Sequence, residues 1–259
     1  MIFSELHFYS ETLGLQTAVN LILPDPGVIA RSKAPVPVLY LLHGRYGDHY
    51  DWVRKTSLET YARRYRICIV MPDANNSYYM DMAFGAKYET FIAKELPRVI
   101  ERYLPFVSRK REGRFVAGLS MGGYGALKLG LTYPARYAAA ATLSGALGVG
   151  NIYDERGKRP ESYFEAMDLV FDGPEKLARS TGNICKTAEK LCAAPEKCPK
   201  IYIACGTEDA LFADNNRFAE RFAQRLPLEY HTAPGAHTWE FWDEYIERVL
   251  AWLPLEAAE

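Results

Sequence analysis

Five short apolar runs recur along this chain, and each contains few polar residues. Such runs are typical of strands in a parallel sheet that is covered on both faces, because neither face of the strand meets water. Longer amphipathic stretches between the runs predict helices. The alternation predicts an α/β protein with a mostly parallel central sheet and helices on both faces. The runs are residues 38–42, 67–71, 115–119, 138–143 and 201–204, and the candidate helices are residues 58–65, 88–103, 122–131, 215–226 and 239–252.

Two other parts of the chain differ from this pattern. Residues 2–9 and 15–23 alternate apolar and polar side chains around a turn at Leu13-Gly14, which predicts an antiparallel pair of strands at an edge of the sheet. A polar stretch with scattered aromatic residues and no flanking Gly/Ser linker covers about residues 148–199. We interpret this stretch as a short cap-like insertion within a single domain of residues 1–259.

The charge balance argues against a polyanionic partner. The chain has 31 Lys and Arg residues against 32 Asp and Glu residues, a formal net charge of −1, so it lacks the basic field that attracts nucleic acid or anionic lipid. No run approaches the roughly 18 uncharged apolar residues of a membrane span, and the first residues lack the basic-then-apolar pattern of a secretory signal. We expect a cytoplasmic protein with no nucleic-acid or membrane partner.

The five cysteines are an odd number in a chain long enough to fold without disulfides. None belongs to a C-x-x-C pair, the spacing typical of zinc sites. We therefore expect neither a disulfide framework nor a metal site. Cys68 and Cys205 lie in apolar runs and are predicted to be core residues, whereas the sequence assigns no role to Cys185, Cys192 and Cys198.

The segment Gly118-Leu119-Ser120-Met121-Gly122 joins an apolar run to a stretch of small residues that predicts a helix. A G-x-S-x-G sequence in this setting is the nucleophile elbow of the α/β-hydrolase fold. The turn is so tight that its serine takes a strained backbone conformation, and the flanking glycines avoid collisions with neighbouring backbone. Ser120 is therefore the candidate nucleophile.

A serine nucleophile needs a general base, and the base needs an orienting carboxylate. In the α/β-hydrolase order, both follow the serine on loops after late strands. Asp209 follows the apolar run 201–204 in a turn-forming loop, so we predict that it is the carboxylate. Glu208 is the alternative, although only one of two adjacent side chains can face the base. We assign Asp214 to the start of the next helix, where the dipole stabilises a carboxylate.

Two of the five histidines follow Asp209 in the chain. His231 alternates with apolar neighbours and is interpreted as a strand residue. His237 follows a turn at Pro234-Gly235-Ala236 and directly precedes a predicted helix. Because a loop after a late strand is the place expected for the base, we predict that His237 is the general base, with a helix-capping or exposed histidine as the alternative.

An acyl-transfer reaction also needs fixed N–H donors for the oxyanion that develops. One donor is expected at Met121, the residue after the nucleophile, and the other in the loop after the run 38–42. We place the second donor at the N–H of Arg45, with Gly44 as the alternative. His43 in the same loop is interpreted as a residue that supports the loop rather than as a second base.

Aromatic and apolar residues near these loops are candidates for the substrate-binding wall. For those in the inserted stretch, packing in the core is the competing interpretation. The candidates are Trp52, Tyr78, Tyr79, Phe164, Phe171, Leu211, Phe212 and Trp239.

An ordered set of motifs extends beyond the serine motif. The set comprises Leu41-Leu42-His43-Gly44 with Gly47-Asp48 and Trp52, Met71-Pro72-Asp73 with Asn76-Ser77-Tyr78-Tyr79, residues 118–126, Cys205-Gly206-Thr207-Glu208-Asp209, and His237-Thr238-Trp239. Together these motifs resemble the "Putative esterase" family, which contains tributyrin esterases, esterase D or S-formylglutathione hydrolases, and the antigen 85 mycolyltransferases. The resemblance covers about residues 3–253, and the tributyrin esterase branch is the most similar.

The resemblance implies an α/β-hydrolase fold and a serine carboxylesterase that acts on short-chain acyl esters through an acyl-enzyme. It implies Ser120, Asp209 and His237 as the catalytic triad, Arg45 and Met121 as oxyanion donors, no cofactor, and a homodimer or homotetramer. The oxyanion loop departs from the Leu-Ser-Gly-Leu-Thr-Cys type of S-formylglutathione hydrolases, which argues against a glutathione thioester. The alternatives are an acyltransferase or S-formylglutathione-type thioester hydrolase on the same triad, and a non-catalytic binding protein of the same fold.

Overall fold

The strands of the computed structural model, which describes residues 1–258 apart from the side chain of Glu155, form one eight-stranded sheet. They are β1 (Ile2–Ser10), β2 (Leu15–Leu23), β3 (Val38–Leu42), β4 (Cys68–Pro72), β5 (Arg114–Leu119), β6 (Ala139–Leu143), β7 (Lys200–Gly206) and β8 (Leu228–Ala233). Their order across the sheet is β1-β2-β4-β3-β5-β6-β7-β8. β2 is antiparallel to both of its neighbours, and the other pairs are parallel. The predicted sheet, with its antiparallel pair at one edge, is confirmed.

The helices connect these strands and cover both faces of the sheet. They are α1 (Pro26–Ala30), α2 (Asp51–Lys55), α3 (Leu58–Ala62), α4 (Tyr88–Thr90), α5 (Leu96–Tyr103), α6 (Met121–Thr132), α7 (Glu161–Phe171), α8 (Gly173–Arg179), α9 (Ile184–Leu191), α10 (Phe212–Phe222) and α11 (Trp239–Trp252). Short 3-10 turns occur at Arg111–Gly113, Leu147–Glu155 and Pro195–Lys197, and a π-helical turn at Phe91–Glu95 joins α4 to α5.

The central strands divide their side chains between two cores. In β3, Tyr40 packs with α5 and α6 on one face, whereas Leu39 and Leu41 pack with α2, α3 and α11 on the other. Every residue of β3, β4, β5 and β6 is buried. Successive side chains of a strand point to opposite faces, so strands that are buried on both faces are mainly apolar, with few exceptions such as Arg114 and Thr142.

The helix predicted over residues 88–103 is not a continuous α-helix, because the π-helical turn interrupts it. Pro97 has no N–H, so the carbonyl of Ala93 cannot receive an intrahelical bond from it. The Arg136 guanidinium donates to that carbonyl instead, at 2.7 Å. The helix predicted over 215–226 also begins earlier, at Phe212, and ends at Phe222, after which residues 223–225 form a turn.

The inserted stretch forms the 3-10 turn Leu147–Glu155 and the helices α7, α8 and α9. Its buried side chains, among them Met167, Phe171 and Leu177, belong to the same apolar cluster as one face of the sheet. No helix in the described part of the chain has the length and apolar character that a bilayer-crossing segment requires.

Candidate active site

Ser120 lies in a sharp turn between the carboxyl end of β5 and the start of α6, with φ 52° and ψ −117°. A positive φ is uncommon for a residue with a side chain and costs free energy. Three backbone hydrogen bonds hold the turn: the Ser120 N–H donates to Leu143 at 2.9 Å, and its carbonyl accepts from the N–H groups of Tyr124 and Ala146, each at 3.0 Å. The predicted strained elbow is present.

The two glycines of the motif lie where no side chain fits. A Cβ on Gly118 would lie 2.4 Å from the carbonyl oxygen of Gly122, and one on Gly122 would lie 2.4 Å from the carbonyl oxygen of Leu42. Both contacts are with backbone, which cannot rotate away. The glycines therefore let the start of α6 pack directly against β3 and β5.

Three polar side chains meet above the carboxyl ends of the parallel strands. The imidazole Nε2 of His237 lies 3.0 Å from the Oγ of Ser120, and its Nδ1 lies 2.8 Å from Oδ2 of Asp209. A carboxylate at Nδ1 favours the tautomer in which Nδ1–H donates to Asp209 and Nε2 accepts from the serine hydroxyl. Asp209 is buried, whereas the His237 side chain is 34% exposed. The arrangement can move a proton from Ser120 to His237.

Burial would raise the pKa of the Asp209 carboxyl, but hydrogen bonds from His237, the Leu211 N–H and the Ser144 hydroxyl hold it below its ordinary value. The Leu211 bond, at 2.8 Å, reaches the carboxylate oxygen that His237 leaves free. The carboxylate is therefore charged at neutral pH and fixed in orientation.

Ser144 and Trp242 are part of this arrangement, although the sequence analysis did not identify them. Ser144 directly follows β6 with φ 48°, and its hydroxyl accepts a hydrogen bond from Nε1 of Trp242 at 3.1 Å. The Trp242 ring meets the His237 imidazole edge-on, with centroids 4.9 Å apart. The available sequence signal was a Ser-Gly pair at the carboxyl end of an apolar run.

The other acidic candidates and His231 form no hydrogen bond with His237 or Ser120 among the described side chains. Glu208 is exposed, and Asp214 lies in the first turn of α10, where it pairs with Arg217. His231 lies in β8 and stacks on Tyr202, with centroids 4.4 Å apart.

His43 is buried beneath the loop that follows β3. Its Nδ1 lies 2.7 Å from the carbonyl oxygen of Gly44, and its Nε2 accepts the N–H of Ala74 at 3.0 Å. Both ring nitrogens are used, so the side chain joins the loop to the segment after β4. The contacts are those of a supporting residue, as the sequence analysis interpreted it.

The N–H groups of Arg45 and Met121 donate no hydrogen bond to any of residues 1–258. Met121 begins α6, where the first N–H groups of a helix have no partner in the helix. The loop with Arg45 closely approaches the serine, since a Cβ on Gly44 would lie 3.7 Å from Cβ of Ser120. Gly44, the alternative position for the second donor, lies in the same loop beside Ser120. Two free donors on either side of a serine can stabilise an anion.

A cleft of about 500 Å³ opens over Ser120 and His237. Of the predicted wall residues, Tyr78, Leu211 and Trp239 line it. Other residues, which were not predicted as walls, also line it: Arg45, Tyr46, Asp51, Lys55, Val149, Ile152, Arg159, Tyr163, Asp214 and Trp242.

The other five predicted wall residues do not line the cleft, and their assignment is corrected. Trp52 is buried behind Trp239 and donates its Nε1–H to Leu42 at 3.1 Å. Tyr79 is buried and donates its hydroxyl to the His43 carbonyl at 2.9 Å. Phe164 and Phe171 are buried side chains of α7, and Phe212 lies at the start of α10. Burial in the core, where aromatic rings pack efficiently, takes four of these side chains out of reach of a ligand.

The side chains that the structure describes contain no group of three or more His, Cys, Asp or Glu that could hold a metal ion. The structure also shows all five cysteines unpaired, with Cys68, Cys198 and Cys205 buried.

Comparison with known proteins identifies the family. The model of the family described as "Putative esterase" matches residues 10–253. An acetyl esterase from Caldicellulosiruptor saccharolyticus is 30% identical over 262 residues, which cover 98% of this chain and 98% of that protein. Two solved Staphylococcus aureus structures are each 29% identical and cover 97% of this chain and 98% of theirs. FphF, a fluorophosphonate-binding serine hydrolase, has a TM-score of 0.87, and the S-formylglutathione hydrolase FrmB has a TM-score of 0.85.

These likenesses confirm the predicted α/β-hydrolase fold. The family match extends from β1 to the segment after α11 and so includes every strand from β2 to β8. The chain belongs to the "Putative esterase" family.

Proposed function

We propose that this protein is a serine carboxylesterase that hydrolyses short-chain acyl esters through an acyl-enzyme on Ser120. The observation that carries the proposal is the continuous hydrogen-bonded chain from the Ser120 hydroxyl through His237 to Asp209, at 3.0 and 2.8 Å. A serine hydroxyl is a weak nucleophile by itself, and an adjacent imidazole held by a carboxylate activates it.

In the first half of the reaction, the Ser120 Oγ attacks the ester carbonyl while its proton passes to Nε2 of His237. The N–H groups of Arg45 and Met121 stabilise the oxyanion of the tetrahedral intermediate. The intermediate collapses as the C–O bond to the alcohol breaks, and His237 protonates the departing alcohol. The acyl group is then bonded to Ser120.

In the second half, His237 takes a proton from water, and the resulting hydroxide attacks the acyl-enzyme carbonyl. The second tetrahedral intermediate releases the carboxylic acid, and the proton returns to Ser120. Asp209 remains ionised throughout and stabilises the imidazolium that forms twice in each cycle.

The preference for short acyl groups is supported by the similarity to an acetyl esterase over almost the whole chain. The cleft also supports it, because the bulky side chains of Tyr78, Trp239 and Trp242 stand close to the serine and limit the room for a long acyl chain.

Thioester hydrolysis is the second candidate, because one of the similar structures is an S-formylglutathione hydrolase. The same triad and oxyanion donors act on either a thioester or an oxyester, since both reactions pass through a tetrahedral oxyanion. Parallel assays with S-formylglutathione and an acetate ester distinguish thioester hydrolysis from oxyester hydrolysis. The substrate with the larger kcat/KM is the preferred one.

Stopped-flow measurement of p-nitrophenol release from p-nitrophenyl acetate and butyrate tests the main proposal. We expect turnover of the short esters and, when deacylation is slower than acylation, a burst of about one equivalent of p-nitrophenol per chain. Ser120→Ala removes both the burst and the turnover above the uncatalysed rate. Turnover that survives in Ser120→Ala, or no turnover of any short ester or thioester, contradicts the proposal.

A further inference from the structure

We propose that the ester substrate carries a carboxylate and that the Arg45 side chain binds it. This inference rests on the proposed function and adds a substrate class to it. The backbone N–H of Arg45 is an oxyanion donor in the proposed reaction, whereas the inference concerns its guanidinium. Arg45 lines the same cleft as Ser120 and His237, and its guanidinium contacts Tyr163, another residue of that lining.

The Arg45 guanidinium is held by two aromatic rings and has no counter-ion. Its central carbon lies 4.8 Å from the centroid of the Tyr46 ring and 4.9 Å from that of Tyr163. It forms no ion pair with any side chain that the structure describes, and its Nε is buried without a hydrogen-bond partner there. Stacking uses the faces of the guanidinium and leaves its N–H edge available to a ligand.

The loop that carries Arg45 is fixed. Tyr46 has φ 69°, and its N–H donates to Oδ1 of Asn76 at 2.7 Å. A fixed backbone and two ring contacts limit the movement of the arginine side chain, so little conformational freedom is lost when a ligand binds. A planar guanidinium matches the two oxygens of a carboxylate with two parallel hydrogen bonds.

The acidic residues of the cleft do not neutralise Arg45. Asp51 pairs with Lys55 at 2.7 Å, and Asp214 pairs with Arg217. Arg159, another residue of the cleft wall, also stacks on the Tyr163 ring, with its central carbon 4.8 Å from the ring centroid. The guanidinium of Arg45 therefore keeps its positive charge on the cleft wall, and this charge attracts an anionic substrate.

The carboxylate can belong to the acyl group or to the alcohol, and two substrate pairs distinguish these sources. The acyl pair is mono-p-nitrophenyl glutarate and its methyl ester. The alcohol pair is the butyrate ester of 4-hydroxybenzoate and the corresponding methyl 4-hydroxybenzoate ester. In each pair, the ratio of kcat/KM for the anionic ester to that for the neutral ester measures charge recognition.

We expect the ratio for one pair to fall by about tenfold to a hundredfold in Arg45→Met, the range for loss of a charged hydrogen bond, and to be partly restored in Arg45→Lys. A general effect of the substitution on the oxyanion loop cancels in the ratio. The matched control is Arg98→Met, because Arg98 is an exposed arginine of α5 that lies outside the cleft wall. We expect this control to leave both ratios unchanged.

Binding to the Ser120→Ala protein separates a failure of the inference from a failure of the proposed function. Calorimetric titration with the same anionic esters measures affinity without turnover, and we expect Arg45→Met in this background to weaken the binding of the preferred ester by a similar factor. Equal ratios in the wild type and Arg45→Met, with neutral esters turned over normally, overturn the inference and leave the proposed function standing. Absent turnover with an Arg45-dependent affinity contradicts only the proposed function.

Discussion

The indole N–H of Trp242 donates a hydrogen bond of 3.1 Å to the hydroxyl of Ser144. That hydroxyl also helps to hold the pKa of the Asp209 carboxyl below its ordinary value, while the Trp242 ring packs edge-on against His237. One side chain therefore supports the imidazole by contact and the carboxylate through Ser144. Trp242 is a positioning residue in the proposed reaction.

Trp242→Phe keeps an aromatic ring beside His237 and removes the N–H donor. We expect kcat to fall roughly threefold to tenfold, the range for one hydrogen bond, with a smaller change in KM, because the carboxylate loses part of its support. The matched control is Trp252→Phe, which removes the bond from Nε1 of Trp252 to the exposed side chain of Glu229. Steady-state kinetics that show the same loss in both variants would assign Trp242 a purely structural role.

Asp209→Asn tests the orienting carboxylate. An amide cannot stabilise the imidazolium and can hold the imidazole in the wrong tautomer, so we expect kcat to fall by about 10⁴-fold, as in other serine hydrolases with a triad. Glu208→Gln changes the adjacent exposed carboxylate and serves as the control, with kcat near that of the wild type. If Glu208→Gln has the larger effect, the assignment of the carboxylate is wrong.

Gly122→Ala tests the close packing of the elbow. Because the new methyl group would meet the carbonyl oxygens of Leu42 and His43 at 2.4 and 2.5 Å, we expect the free energy of unfolding to fall by about 2–3 kcal/mol. Gly27→Ala is the control, since no atom lies within 4 Å of its added Cβ and its φ is not left-handed. Chemical denaturation should show a change within about 1 kcal/mol for this control. Equal stability of the two variants would contradict the packing argument.

The buried ion pair between Glu89 and Lys128 makes the stability depend on pH. Burial would raise the pKa of Glu89, but the Lys128 ammonium at 2.8 Å and the hydroxyls of Tyr133 and Thr181 hold it below 4.5. Burial lowers the pKa of Lys128. A depressed carboxyl pKa contributes stability that is complete above the unfolded-state pKa and is lost as pH falls through the folded-state pKa.

Glu89→Gln should therefore lower the free energy of unfolding by about 3–5 kcal/mol at pH 7, because it leaves Lys128 buried and unpaired. We expect the difference from the wild type to narrow below about pH 4.5, where the wild-type carboxylate begins to protonate. The double variant Glu89→Gln/Lys128→Met removes both charges and should recover part of the loss. Urea unfolding from pH 7 down to about pH 3 measures this, because the folded-state pKa of Glu89 lies below 4.5. A difference that does not depend on pH over this range would rule the ion pair out as its source.

The central strands could be predicted from sequence because burial on both faces leaves an unbroken apolar run, as in β3 and β5. The amphipathic pattern of the last part of the chain predicted the bounds of α11, which are Trp239–Trp252. Ser120, Asp209 and His237 lie within hydrogen-bond distance because chain order and strand ends constrain them together. Local pattern and topology therefore account for these features.

Other features depend on contacts that no local pattern records. The bond between Trp242 and Ser144 joins residues 98 positions apart, and the depth of Phe164 and Phe171 depends on how the inserted helices pack. Arg45 was predicted only through its backbone, because the two rings that hold its side chain come from separate segments. Tertiary packing, rather than periodicity, decides these positions.

The most direct test of a reactive Ser120 is the intact mass of the protein after treatment with a fluorophosphonate. We predict one adduct per chain, located by peptide mapping on Ser120, with no adduct in Ser120→Ala and much slower labelling in His237→Ala, because the imidazole activates the hydroxyl. An unmodified wild-type chain, or an adduct on a residue other than Ser120, would contradict the account.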